Sequence, residues 1–150
     1  MRAYLGLGSN LGNRKSNLLK ALMLINRMDW TKISRVSSVY INPAEGWSGG
    51  DFFNAVCEVN TLLSPEELLV RTRHIEGQLG RSNKYDNSAR NIDIDILLCD
   101  NRKIDLPDLV VPHPRMYERD FVLAPLCEIC PGAFCDRLQM IKQRGVLCAW

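Results

Sequence analysis

One short segment, residues 91–98, constrains the fold of this chain more than any other. Its order Asn-Ile-Asp-Ile-Asp-Ile-Leu-Leu alternates acidic and apolar side chains, which is the two-residue period of a half-buried β-strand. The isoleucines would face a core. Asp93 and Asp95 would then share the opposite face, separated by one pleat repeat of roughly 6.5–7 Å. Because aspartate is a poor strand former and like charges on one face repel, such a strand needs cations opposite its carboxylates.

Two interpretations of this acidic pair are open on these residues alone. Hard oxygen ligands at this spacing suit Mg²⁺ shared with a phosphate chain. Basic side chains flank the strand in loops and could bind the remaining phosphate oxygens; they are Arg81, Lys84, Arg90, His113, Arg115 and Arg119. In the alternative, the same residues form a surface ion-pair network that neutralises a solvated strand face.

The size and charge of the chain indicate a small globular protein and do not favour a nucleic-acid-binding or membrane-binding one. At 150 residues it is expected to form a single domain, 1–150, with a core of its own. A net charge of +2 does not argue for nucleic acid or a membrane surface as a partner. The sequence has neither an apolar run near 18 residues nor a signal-peptide pattern, so we expect a cytoplasmic protein.

The cysteines are expected to be reduced thiols in that compartment. Cys127, Cys130 and Cys135 have the spacing C-x2-C-x4-C, which resembles part of a zinc site. A structural zinc site needs four ligands, and no second pair completes this one. Free thiols are therefore the favoured interpretation.

Hydrophobic periodicity and turn signals predict the element order β-α-β-β-α-β. Strands are expected over 2–8, 33–40, 52–61 and 91–98, with one helix ending near Met28 and another opening at the capping box Ser64-Pro65-Glu66-Glu67. This order is typical of an α+β fold of the ferredoxin-like type, an antiparallel sheet with both helices on one face. Helical patterns over 122–129 and 137–142 would be C-terminal additions. Phe52, Asn54 and the acidic pair would converge on the open face.

A set of short motifs agrees in order and spacing with one family. The motifs are Gly8-Ser9-Asn10-Leu11-Gly12, Tyr40-x-x-Pro43, Phe52-x-Asn54, Glu76-x-x-x-Gly80-Arg81, Arg90-x-Ile92-Asp93-Ile94-Asp95 and Pro112-His113-Pro114-x-Met116-x-x-Arg119-x-Phe121. From residue 3 to about 131 the chain resembles the 6-hydroxymethyl-7,8-dihydropterin pyrophosphokinases of folate biosynthesis.

The resemblance implies pyrophosphoryl transfer from ATP to the 6-hydroxymethyl oxygen of the pterin, with release of AMP. Two Mg²⁺ ions would be held by Asp93 and Asp95, and the implied catalytic residues are Arg81, Arg90, Asp93 and Asp95. Implied ATP contacts are Arg73, Glu76, Arg81, Lys84, Arg90, Ile96, His113 and Arg119. Implied pterin contacts are Asn42, Pro43, Ala44, Glu45, Phe52, Asn54, Asp93 and Phe121, with the two phenylalanines sandwiching the ring. No residue is assigned as general base.

The resemblance also implies that the partners are these small molecules alone, with no nucleic acid and no membrane, and that the protein is a monomer. Regulatory domains and RNA-binding domains share the expected element order. RNA-binding sheets, however, carry several aromatic residues on their central strands, where this chain has Asp93 and Asp95. A regulatory domain would not need the carboxylate pair.

The chain departs from the family pattern at two places. Residues 87–89 are Asn-Ser-Ala, where many members of the family have Trp-Gly-Pro before the arginine that precedes the aspartate strand. Asp108 and Val110 stand where other members have a basic and a hydroxyl residue. The packing of that tryptophan on the ligands is therefore either missing or supplied by another residue, such as Tyr85 or Trp47. Nucleotide contacts from the segment around Asp108 and Val110 are open.

Overall fold

The chain combines helices with β-strands, and the computed structural model describes residues 1–43, 49–80, 90–130, 132 and, as backbone, 146–148. Within these residues the elements are β1 (Arg2–Ser9), α1 (Arg14–Asn26), β2 (Thr31–Val36), β3 (Val39–Asn42), β4 (Phe52–Thr61), α2 (Pro65–Gln78), β5 (Asp93–Cys99), β6 (Ile104–Leu106), β7 (Leu109–Val111), α3 (Asp120–Ile129) and β8 (Val146–Cys148). One turn of 3-10 helix, Met116–Glu118, precedes α3. The helix predicted over 137–142 lies outside the described residues.

Both long helices begin at side-chain caps. The Asn13 side chain accepts the Ser16 N–H at 3.0 Å at the start of α1. At the start of α2, Ser64 Oγ accepts from the Glu67 N–H at 3.2 Å, and Glu67 Oε2 accepts from the Ser64 N–H at 2.7 Å. These bonds satisfy amide groups that have no partner within the helix. The predicted capping box is confirmed.

The single strand predicted over 33–40 is wrong, because two strands occupy this region. Ser37 separates β2 from β3 and is fully buried. Its N–H donates to the Val56 carbonyl at 2.9 Å, and its Oγ accepts from the Val56 N–H, also at 2.9 Å. A side-chain hydroxyl thus replaces a backbone group in the ladder, which interrupts the regular strand.

The main sheet is antiparallel, with strand order β5-β1-β4-β3-β8, and β2 also pairs with β4. β6 and β7 form a separate two-stranded ribbon. The domain is therefore a mixed α/β structure built on an antiparallel sheet. None of the described helices combines the length and hydropathy needed to cross a bilayer.

One face of the sheet packs against α1 and α2. The alternating residues of the strands meet the apolar sides of both helices there, and each fully buried aliphatic side chain contributes about 1.5–3 kcal/mol. This core includes Ala3, Leu5, Leu7, Leu18, Ile25, Cys57, Val59, Leu68, Ile75, Ile92, Ile94 and Ile96. The isoleucines of β5 face this core, as the alternation predicts.

The expectation that the opposite face is open is wrong, because α3 packs across it. A second apolar cluster forms there from Tyr4, Val56, Leu97, Met116, Leu123, Ala124, Leu126 and Ile129. Glu128 anchors the helix by accepting hydrogen bonds from the Tyr40 hydroxyl at 2.9 Å and from the Ser38 N–H at 2.9 Å. Helices therefore lie on both faces, since the apolar side of α3 needs a surface to bury.

Candidate active site

The polar end of the α3-covered face is organised by the pairing of three strands. Gly8 of β1 lies opposite Asn54 of β4 and Asp93 of β5, and Gly6 lies opposite Asp95. Directly opposed residues in an antiparallel sheet project to the same face. Asn54, Gly8 and Asp93 therefore form one line across the sheet, which we call the central row. The structure thus brings the predicted amide and the predicted carboxylates together.

Two glycines of β1, Gly8 in the central row and Gly6 beside it, lie against the side chains of their neighbours. A Cβ atom on Gly8 would lie 3.2 Å from Asn54 Oδ1 and 3.7 Å from Cδ1 of Phe52. On Gly6 it would lie 3.4 Å from the methyl carbons of Leu97. The two glycines thus give room to the side chains of Asn54, Phe52 and Leu97, which lie close to them.

Each aspartate of the acidic pair has a basic side chain near it. Arg90 Nη1 lies 3.3 Å from Asp93 Oδ2, and His113 Nε2 lies 4.0 Å from Asp95 Oδ2. The aspartate side chains keep 24% and 26% of their surface exposed, whereas that of Arg90 keeps 4%. Buried guanidinium and half-buried carboxylates leave the acidic oxygens accessible to a ligand.

Arg119 adds a second guanidinium near the acidic pair. Burial lowers the pKa of Arg119, and the charge of Arg115 lowers it further, while Asp95 and Asp93 act in the opposite direction. The guanidinium carbon lies 5.7 Å from the centre of the Phe121 ring. Because arginine stays protonated in proteins, Arg119 presents a fixed positive charge beside an aromatic ring.

The residues expected on the nucleotide side are used in different ways. Glu76 is 3% exposed, and its Oε1 accepts the Ile94 N–H at 2.7 Å, so it anchors the backbone between the two aspartates. The Ile96 side chain lies in the core beneath α1 and α2 and does not reach the acidic face. Arg73 pairs with Asp108 at 3.7 Å. The aspartate that departs from the family pattern therefore contacts an arginine expected to bind ATP.

Two of the residues expected to bind the pterin, Asn42 and Phe52, lie near the Asn54 end of the central row. Asn42 lies opposite Phe52 in the β3–β4 pair, and its Oδ1 accepts a short hydrogen bond from Asn54 Nδ2. Asn42 Nδ2 also donates to the Pro43 carbonyl at 3.2 Å. Phe52 and Phe121 are both half-buried. Amide and aromatic groups therefore occur next to the acidic pair.

Part of the predicted site lies outside the described residues. This applies to Ala44, Glu45, Arg81, Lys84 and the departing residues 87–89. Their expected roles stay predictions.

The sequence places Gly8 and Asn10 in a family motif, but Gly6, Gly8 and Asn10 were not among the predicted site residues. The alternation of β1 puts both glycines on the same strand face as Tyr4, so the sequence could have predicted that they share a face. It could not predict which residues lie beside them, because that depends on the order of the strands in the sheet. Asn10 bonds to Arg90, which is remote in sequence. No local pattern announces that contact.

The donor set of the acidic pair fits a divalent cation bound mainly by water and phosphate. Among the described residues, no group of three or more His, Cys, Asp or Glu side chains could enclose a metal ion. Mg²⁺ commonly takes one or two protein carboxylates and fills its remaining positions with waters and substrate oxygens. Asp93 and Asp95 meet that requirement.

The fold and site together define a small α/β domain with an acidic site flanked by arginines, amides and aromatic rings. Residues 4–131 match the family described as 7,8-dihydro-6-hydroxymethylpterin-pyrophosphokinase (HPPK). The chain belongs to this family. It is a pyrophosphokinase, an enzyme of the diphosphotransferase class.

Relatives from several organisms match most of the chain. A 2-amino-4-hydroxy-6-hydroxymethyldihydropteridine pyrophosphokinase of Bacillus subtilis is 44% identical over 129 residues, which are 85% of this chain and 77% of that protein. The protein of the same name from Aquifex aeolicus is 42% identical over 130 residues, 86% of this chain and 80% of its own length. The folic acid synthesis protein FOL1 of Dictyostelium discoideum is 37% identical over 94% of this chain, which spans 21% of that protein.

Solved structures share the fold at low sequence identity. A crystal structure of HPPK-DHPS in complex with substrates superposes with a TM-score of 0.64 at 17% identity, over 87% of this chain and 40% of that one. The Plasmodium falciparum HPPK-DHPS structure has a TM-score of 0.61 at 18% identity, over 85% of this chain and 37% of that one. Both likenesses concern the fold alone.

Proposed function

We propose that this enzyme transfers the pyrophosphoryl group of ATP to the hydroxymethyl oxygen of 6-hydroxymethyl-7,8-dihydropterin in folate biosynthesis. The hydroxyl oxygen attacks the β-phosphorus, the bond from that phosphorus to the α–β bridging oxygen breaks, and AMP leaves. The observation that carries the proposal is the central row, which puts an amide-lined surface and a carboxylate on either side of a glycine. The family and the names of its relatives support the same reaction.

The pterin is proposed to lie above Gly8, with its polar edge on Asn54 and Asn42. Flat heteroaromatic ligands favour aromatic stacking together with a few fixed polar groups. The bond between the two asparagine side chains fixes the orientation of each amide, so the groups are set before the ligand arrives. Phe52 and Phe121 are proposed to stack on the ring, and Pro43, Ala44 and Glu45 to contact its edge.

Asp93 and Asp95 are proposed to hold two Mg²⁺ ions together with the triphosphate. When bound, Mg²⁺ would neutralise phosphate charge and polarise the phosphoryl oxygens. The side chain of Glu76 supports both aspartates by accepting the N–H of Ile94 between them. A backbone fixed at this point preserves the separation of the carboxylates.

The cationic residues are proposed to bind the phosphate oxygens that Mg²⁺ leaves uncovered. Arg90 and Arg119 would bind them as guanidinium groups, which suit phosphate geometry. His113 is proposed as a further donor, since its Nε2 points toward Asp95. Arg81 and Lys84 complete the proposed phosphate-binding set. Arg73, Glu76 and Ile96 are proposed to contact the rest of the nucleotide, Ile96 through its backbone.

A ferredoxin-like core is proposed for this protein. It would consist of β1, α1, β2 together with β3, β4, α2 and β5. Its strand order, with β1 between β5 and β4 and every pairing antiparallel, supports this assignment. We further propose a cytoplasmic enzyme that acts as a monomer on small molecules. The thiols of Cys57, Cys99, Cys127 and Cys130, which are unbridged, suit a reducing compartment.

An AMP-release assay with ATP, Mg²⁺ and the reduced pterin tests the proposal. We expect AMP and the pterin diphosphate in equal amounts, and no AMP when either Mg²⁺ or the pterin is omitted. Pterin binding without AMP release would contradict the catalytic proposal and favour a ligand-binding role.

A further inference from the structure

We infer that Asn10 is a positioning residue that couples the pterin side of the site to its phosphate side. This inference rests on the function proposed above. Asn10 follows β1 directly and is 2% exposed. It contacts two segments that are far apart in sequence, one at Gly50 before β4 and the other at Arg90 before β5. A single buried residue therefore contacts the segments that lead into β4 and β5, the two strands that present the predicted site residues.

The contact with the phosphate side is reciprocal. The Arg90 N–H donates to Asn10 Oδ1 at 2.9 Å, and the Asn10 N–H donates to the Arg90 carbonyl at 3.2 Å. Holding both backbone polar groups of Arg90 restricts its φ and ψ angles. The direction of the guanidinium follows from that backbone, and this guanidinium contacts Asp93 at 3.3 Å. Asn10 thus orients Arg90, a residue proposed to bind phosphate, through the Arg90 backbone.

The contact with the pterin side uses the Asn10 carbonyl, which accepts the Gly50 N–H at 3.2 Å. Arg14, in the first turn of α1, strengthens the same connection. Its Nη1 donates to the Asp51 carbonyl at 2.8 Å, and its guanidinium carbon lies 4.5 Å from the centre of the Phe53 ring. Together these contacts fix the chain just before the strand that presents Phe52 and Asn54.

The two sets of contacts meet in one residue, Asn10. A ligand that holds Arg90 in place therefore also favours one position of Gly50, and the reverse is equally true. Such a link makes the two binding equilibria interdependent by the same factor in both directions. The asparagine side chain is the part of the link that substitution can remove, because the other bonds are made by backbone atoms.

Calorimetric titration measures the coupling. The Kd of the reduced pterin is determined first without nucleotide and then with Mg²⁺ and an α,β-methylene analogue of ATP, and the coupling is the ratio of these two Kd values. For the unaltered enzyme we expect the nucleotide to tighten pterin binding by a factor in the usual range for coupled sites, about 5–150-fold. In Asn10→Ala the Arg90 N–H loses its acceptor, and the ratio should fall to within about twofold of unity. Asn10→Asp keeps an acceptor oxygen and should restore most of the ratio.

Ser9→Ala is the matched control. Ser9 is also buried, and its hydroxyl accepts a hydrogen bond from Asn17 of α1 at 3.3 Å, on the face of the sheet that α1 covers. This variant should keep the coupling of the unaltered enzyme. If melting curves show that Asn10→Ala does not fold, Asn10→Ser takes its place, since the shorter side chain cannot reach the Arg90 N–H.

Three results would overturn the inference: an unaltered enzyme with a ratio near unity, coupling retained in the Asn10→Ala or Asn10→Ser variant, or an equal loss of coupling in Ser9→Ala. The AMP-release assay separates this failure from failure of the proposed function. An unaltered enzyme that produces AMP while the asparagine variants retain full coupling contradicts the role of Asn10 and leaves the reaction intact.

Discussion

Asp93 and Asp95 have different immediate surroundings although they belong to one strand face. Asp93 lies against a buried arginine, and Asp95 lies near a histidine. The alternation in the sequence correctly predicts that both carboxylates share a face, because strand periodicity is local. Their partners could not be derived in the same way, since Arg90 enters the site through its bond to Asn10 and His113 comes from beyond β7. These contacts depend on tertiary structure.

Replacing the aspartate at position 95 should abolish turnover while leaving the fold intact. In Asp95→Ala a half-exposed carboxylate is lost from the sheet surface, so the core on the other face is unaffected. We expect AMP release to fall by roughly 1000-fold, the order of effect of removing one electrostatic group from an active site. Circular dichroism and melting curves should match those of Asp105→Ala, which removes an exposed aspartate of β6. Near-full Mg²⁺-dependent activity in Asp95→Ala would refute the two-metal proposal.

A methyl group at Gly8 should weaken pterin binding selectively. Its Cβ would lie 3.2 Å from Asn54 Oδ1, so the amide must shift by a few tenths of an ångström and lose alignment with the ligand. We expect KM for the pterin in Gly8→Ala to rise about tenfold, the equivalent of one hydrogen bond, with little change in KM for ATP. Steady-state kinetics of Gly8→Ala and Gly6→Ala make the comparison. An equal rise in both variants would argue against a specific role of position 8.

At the scale of elements, α2 and α3 differ in how far sequence could predict them. The capping box and the proline of α2 act within four consecutive residues, so its start was predicted correctly. The apolar side of α3 was visible as a helical pattern, but a pattern does not say which face of the sheet it will cover. The second core, built from Tyr4, Val56 and Leu97, joins distant segments. The closed face was therefore unpredictable from local signals.

A buried carboxylate connects β1, β2 and β4 and should make stability depend on pH. Burial raises the pKa of Glu58, but hydrogen bonds from Ser34 and Tyr4 and the charges of Arg35 and Arg2 outweigh that effect and lower it below its ordinary value of 4.5. A pKa lowered by folding stabilises the native state above the unfolded value. That contribution is lost as the pH falls through the folded pKa.

Urea denaturation between pH 7 and pH 3 measures this effect. We expect the free energy of unfolding to decrease below about pH 4.5 as Glu58 takes up a proton. In Glu58→Gln this decrease should be smaller, because the side chain at position 58 no longer titrates. A variant with the same pH slope as the unaltered protein would exclude Glu58 as a source of the acid sensitivity.

At the scale of the whole molecule, regions similar to this chain occur in proteins of very different length. The same sequence region makes up most of the Bacillus subtilis relative but 21% of the Dictyostelium protein. In the described residues of this chain, apolar clusters lie on both faces of the sheet. Composition and length predicted a single domain, but they carried no information on such fusions.

Binding of nucleotide should stabilise this domain as a unit. A ligand that binds only the folded state, present at 100 times its Kd, adds about 2.7 kcal/mol to the free energy of unfolding. We expect this gain from the α,β-methylene analogue of ATP in the presence of Mg²⁺, measured by urea denaturation. Most of the gain should vanish with a chelator or in Asp95→Ala. Equal stabilisation with and without Mg²⁺ would contradict metal-assisted binding.

The absence of side chains at Gly6 and Gly8 has a consequence for which substrates fit. Adjacent strands lie about 4.8 Å apart, so the backbones of β4 and β5 lie roughly 10 Å from each other across Gly6 and Gly8 of β1. That width admits a flat bicyclic ring lying across the strands and leaves little room for a larger one. The enzyme would then reject bulkier pteridines by the dimensions of its backbone, and side chains elsewhere could vary without relaxing that limit.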